Sequence, residues 1–166
     1  PQAQGFVNNH PGLIKRAAAS VTVEHFGATE WLDDARGYHP TGQMEIGAAW
    51  HSQSGIAVPL VESMRANRFY RTSALRPIGD YMVAVGGPFH RAGVPTISYI
   101  AGPNYLVDLA PNNHIDKLDP DWFAVELRWL ADIVQRLDEI PKAVLQAGDS
   151  TVYGTVGDPL VQTPLP

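Results

Sequence analysis

The segment from Asp119 onward constrains the fold most. Asp119-Pro120-Asp121 is followed by apolar residues at Phe123, Leu127, Leu130, Val134 and Leu137. Aspartate caps the first free N–H groups of a helix, proline suits the first helical position, and a second carboxylate complements the helix dipole. The apolar spacing predicts one buried stripe on a helix from Pro120 to Glu139, with Glu126, Asp132, Gln135 and Asp138 off it. A helix with such a stripe needs a second layer to cover it.

The best candidate for that layer is the β-branched and aromatic run Val94–Ile100, which Gly102-Pro103 stops. Its Pro95 lies near the start, where a strand tolerates proline. Val21-Thr22-Val23-Glu24 reads as a second, shorter strand, and Tyr81–Val85 as a third. Pro11–Ala19 and Ile56–Arg68 read as helices. Pro88–Ala92 reads as one helical turn closed by Gly93. Residues 28–55, punctuated by Gly37, Pro40, Gly42 and Gly47, read as loop with one short element. Beyond Pro141 the chain reads as an extended tail, leaving residues 1–140 as one domain and 141–166 outside it. Helices alternating with strands predict an α/β layered sheet. Ligands of open sheets bind beyond the carboxyl ends of strands. That rule draws attention to Glu24-His25 and to the segment from Gly102 to Asp119.

Composition removes several functional classes. The 166 residues are 45% hydrophobic and 17% charged, an ordinary globular balance. The net charge is −5 with no basic stripe, which argues against a nucleic-acid partner. No apolar run approaches the roughly 18 residues of a membrane span, so a membrane is not expected as partner either. The absence of cysteine excludes disulfides and thiolate metal sites. The chain opens at Pro1 without methionine, which reads as a processed or cleaved start with sequence upstream.

No HExxH, GxSxG or phosphate-binding loop is present, so any site is assembled from distant segments. Glu24 ends an apolar strand. A carboxylate there is solvated, paired or metal-bound, because burying it bare is costly. His25 can share a metal with Glu24 only if the strand has already ended, since strand neighbours face opposite ways. His114 lies in a polar loop just before the capped helix. It reads as plain surface or as a metal ligand, with Asp116 or Asp119 available to orient its second nitrogen. Asp33-Asp34 reads as a solvated turn and His90 as surface. Trp31, Trp50, Trp122 and Trp129 read first as packing residues.

Together these segments carry a resemblance. Val21-Thr22-Val23-Glu24-His25-Phe26-Gly27 resembles the strand of M28-family zinc metallopeptidases that ends in an acidic zinc ligand and a glycine. Gly87-Pro88-Phe89-His90-Arg91-Ala92-Gly93-Val94-Pro95-Thr96-Ile97 resembles the later Pro-Phe segment, where a short helix leads into a strand beside the site. Asn113-His114-Ile115-Asp116-Lys117-Leu118-Asp119 resembles the last ligand histidine and the Asp-rich approach to the C-terminal helix. The match spans residues 5 to 140, in the family's order.

This resemblance implies a partial three-layer sandwich, a mixed sheet flanked by helices. It implies a zinc-dependent hydrolase acting on peptide or related amide bonds, with two zincs in the complete protein. Glu24 would bind one zinc and His114 the other. His25 and Asp116 would support these ligands from behind, and Asn113 would stand where a tyrosine often polarises the carbonyl. The family's first histidine, bridging aspartate and Glu-Glu pair normally precede the Glu24 strand, and Gln2-Ala3-Gln4 offers no carboxylate pair. The resemblance therefore implies an N-terminal half supplied as a partner, or association of copies through an open sheet edge. The chain also departs from the pattern. Ala84-Val85-Gly86-Gly87 replaces the usual Ser-Asp-His, Glu24 replaces aspartate, and Asp116 follows His114 unusually closely. A non-catalytic domain that binds a ligand or partner is the alternative reading.

Overall fold

A computed structural model describes residues 2–103 and 115–148. The chain begins with two short helices, α1 (Gln2–Asn9) and α2 (Pro11–Arg16). Strand β1 (Ser20–Glu24) follows, then a hairpin of β2 (Thr29–Asp34) and β3 (Gly37–Met44), and strand β4 (Gly47–His51). Helix α3 (Ser54–Ala66), strand β5 (Thr72–Leu75), a 3-10 turn (Ala84–Gly86), helix α4 (Gly87–Arg91) and strand β6 (Thr96–Ala101) come next. After a second 3-10 turn (Ile115–Lys117) come the long α5 (Pro120–Asp138) and the short α6 (Lys142–Leu145).

The main sheet has the order β1-β6-β4-β5, with β2 and β3 forming a separate ribbon. Strand β1 runs parallel to β6, β6 antiparallel to β4, and β4 parallel to β5. The sheet is mixed, as expected, and helices cover both faces. Tyr99 points to one face, where its ring lies 5.5 Å from Trp129 of α5. Ser98, one residue earlier, must point to the other. There its hydroxyl donates to Val83 O at 3.2 Å and accepts from Gly86 N at 3.2 Å. Among the described residues, β1 pairs only with β6, so its outer edge is open. No helix of the described residues is long and apolar enough to cross a membrane.

Asp119 caps α5 as expected, its Oδ1 accepting from Asp121 N at 2.7 Å and Trp122 N at 3.3 Å. The buried face of α5 is a correction. Of the expected stripe Leu137 is buried and Leu130 packs on the core, but Phe123, Leu127 and Val134 are 43%, 44% and 49% exposed, and Glu126, Trp129 and Ile133 are buried instead. The helix is apolar on two sides, and the sheet takes the one carrying Trp129. There Trp129 stacks on Phe69 at 4.7 Å, and α3 contributes Ile56, Leu60 and Met64 to the same core.

Residues 28–55, expected as loop with one short element, hold instead the hairpin, β4 and the start of α3. The hairpin is a mostly exposed two-stranded ribbon, so Pro40 and Gly42 fit it, and no hydrophobic alternation announces it. Tyr81–Val85 forms no strand, while Thr72–Leu75, a short run without clear alternation, forms one. Residues 142–145 are helical rather than extended.

α6 packs against the start of α3 with no room to spare. Gly55 N donates to Ala147 O at 3.0 Å, and a Cβ on Gly55 would stand 2.1 Å from Val144 O. Backbone cannot yield there as a side-chain tip can. Gly55→Ala is therefore expected to lower stability by about 1–3 kcal/mol in urea unfolding. An unchanged midpoint would show that α6 is free to move away.

Candidate functional site

Parallel pairing puts the carboxyl ends of β1 and β6 side by side, with Glu24 opposite Ile100. The Glu24-His25 turn and the start of the Gly102 segment thus share one end of the sheet. β1 ends because His25 takes φ 61° and Gly27 φ 78°. Gly27 fits this turn on two counts. Its φ is left-handed, and a Cβ would press on Phe123 Cβ at 3.1 Å. The turn is tied to α5 by Asp119 N donating to Gly27 O at 2.8 Å and by Gly27 N donating to Glu126.

Glu24 is half-buried. Its Oε1 accepts from Val85 N at 2.7 Å, and Oε2 has no hydrogen-bond partner among the described residues. Metal-binding carboxylates are commonly held by such a bond, so the group fits a ligand role. His25 is exposed, with Nδ1 2.8 Å from Ala101 O. A carbonyl only accepts, so Nδ1 carries the proton and a neutral ring keeps its lone pair on Nε2. This is also how histidine ligands are oriented. The left-handed backbone at His25 breaks the strand alternation that would otherwise keep its side chain apart from that of Glu24.

Asn113 and His114 lie outside the described residues. Asp116 lies in the 3-10 turn that follows and pairs with Lys117 Nζ at 3.0 Å. That ammonium also sits 3.1 Å above the Trp31 ring, fastening the turn to the hairpin. Among the described residues, no three His, Asp or Glu side chains converge closely enough to hold a metal ion.

Sequence reasoning missed Glu126. Its side chain is fully buried, accepting from Tyr99 Oη at 2.7 Å and from Gly27 N. Burial pushes its carboxyl up to about 7, against the lowering effect of both hydrogen bonds. The available signal was the second apolar row of the helix, Trp122, Val125, Trp129, Ile133 and Leu137, which passes beside Glu126. Glu45 is buried too, and burial raises its carboxyl above the ordinary range. Comparison with protein-family models, with curated proteins and with solved structures finds no match.

Proposed function

We propose that this chain supplies the Glu24-bearing part of a zinc-dependent hydrolase that cleaves peptide or related amide bonds. One observation carries the reading. A strand-end carboxylate stands beside the exit of β6, and the chain leaving β6 carries His114 a few residues before the cap of α5. Zinc would supply an activated water and polarise the scissile carbonyl. Glu24 and His114 are the proposed ligands, and His25 holds its ring by the carbonyl bond described above. A catalytic zinc normally has three protein ligands. The reading therefore requires further ligands from upstream polypeptide or from a second copy. The M28-like detail of the fold belongs to this proposal as well.

The test is zinc content by elemental analysis, on this chain alone and with upstream polypeptide restored. About two zinc ions are expected with the upstream part and fewer without it. Glu24→Ala and His114→Ala should each reduce the bound metal. No zinc in any sample sinks the reading.

The hydrogen bond from Val85 N favours a second reading, in which Glu24 is structural and the domain binds a ligand or partner without catalysis. Glu24→Gln keeps an acceptor for Val85 N. Unchanged stability without zinc binding in the parent protein supports this second reading.

A further inference from the structure

We infer that the pocket between the end of β3, the turn after α3 and the first half of α5 binds a small organic anion, a carboxylate on an apolar or aromatic body. The pocket encloses about 370 Å³, within the usual size range of small-molecule sites. Arg68, Arg71 and Arg128 line it, and among the described residues no aspartate or glutamate does. The chain has only 12 Lys and Arg against 17 Asp and Glu, so three arginines lining one pocket, two of them exposed, run against its overall charge.

Their charges are only partly used. Arg71 pairs with Glu30, yet its Nη1 is buried with no hydrogen-bond partner among the described residues. Arg68 and Arg128 form no ion pair among the described residues. Planar guanidinium groups match carboxylates in paired hydrogen bonds. The rest of the lining suits an apolar body, with Trp122 and Val125 from α5, Tyr70 from the turn and Met44 from β3.

The backbone gives a separate reason. Arg68 and Arg71 both hold left-handed conformations, at φ 51° and 60°. Non-glycine residues reach that region at a cost, and such residues gather at binding sites. Between them Phe69 is anchored in the core, stacked on Trp129, with its N donating to Met64 O at 2.8 Å. Glycine would hold either turn position without strain. Arg71 uses its side chain on Glu30, and the pocket gives the Arg68 side chain a use of the same kind. This inference does not rest on the zinc reading.

The test is titration of 3-phenylpropionate into the 166-residue chain, followed by tryptophan fluorescence and calorimetry. Saturable binding is expected, with the neutral 3-phenylpropanamide about tenfold weaker or worse, since charge-assisted hydrogen bonds are lost. The double variant Arg68→Gln/Arg128→Gln should weaken the acid about tenfold or more, with an unchanged urea midpoint showing that it still folds. Equal binding of acid and amide overturns the inference, as does full-strength binding by a folded double variant. Inorganic phosphate binding as tightly as the organic acid would reduce the pocket to a general anion site and overturn the assignment. So would an absence of saturable binding.

Discussion

Glu126→Gln is expected to make the protein more stable at pH 8 and to remove much of its pH dependence. In the native state burial holds this carboxyl's proton up to about 7, against 4.5 for an ordinary glutamate. Between those values the folded chain binds more protons than the unfolded one, so stability falls as pH rises. The contribution is fully present below the unfolded value and lost through the folded one. At full ionisation the loss is about 3 kcal/mol. Glutamine carries no proton to lose. Its amide can still accept from Gly27 N and donate to Tyr99 Oη, the two groups that face Glu126. The other acidic group close by is Glu45, whose charge bears on Tyr99. Urea unfolding at pH 5 and pH 8 decides the matter. Parallel curves for variant and parent would mean that Glu126 is ionised in the fold throughout. Glu126→Leu is the contrasting control. It leaves the buried N–H of Gly27 unpaired, at about 1–3 kcal/mol, while the Tyr99 hydroxyl keeps Thr72 beside it.

Trp129→Ala has the larger structural effect. The indole is fully buried between Phe69 at 4.7 Å, Tyr99 at 5.5 Å and Phe26 at 6.4 Å. It is where α5, the turn after α3 and β6 meet. Emptying a tryptophan site costs about 3–5 kcal/mol, and lost aromatic pairing adds to it. Against a typical total of about 5–15 kcal/mol, that leaves a marginal fold. Near-UV circular dichroism should lose its fine structure, and the urea midpoint should fall steeply. Trp129→Phe keeps the stack on Phe69 and should cost much less. A loss below about 1 kcal/mol for the alanine variant would show that neighbouring side chains collapse into the space.

Local signals were read well. The Asp119 cap, the strands ending near Glu24 and Ala101, and the helical turn closed by Gly93 all depend on neighbouring residues, and all appear within a residue or two. What failed needed distant partners. α5 has two apolar faces, and periodicity cannot say which one meets a sheet. Glu126 falls off the expected stripe, and its partners, Gly27 and Tyr99, are 99 and 27 residues away. The hairpin hid behind glycine, proline and aspartate, which an exposed ribbon tolerates. Of the candidate site, Glu24 and His25 were legible as residues that follow an apolar run. The hydrogen bonds that hold them, from Val85 and to Ala101, come from the other end of the chain segment and left no trace in spacing. The arginine pocket is drawn from three elements and has no sequence signature at all.

The parallel pairing of β1 with β6 also bears on how the molecule is made. Ser20 meets Thr96 and Glu24 meets Ile100, with the hairpin, two strands and α3 translated in between. At about 5–20 residues per second, β1 waits several seconds on the ribosome for its partner. During that time its backbone groups are unpaired on both sides. Closing so long a loop before any parallel contact forms makes the last step of sheet assembly slow. The nascent chain thus passes through a stage with an apolar strand unprotected, when its open edges are most exposed to aggregation.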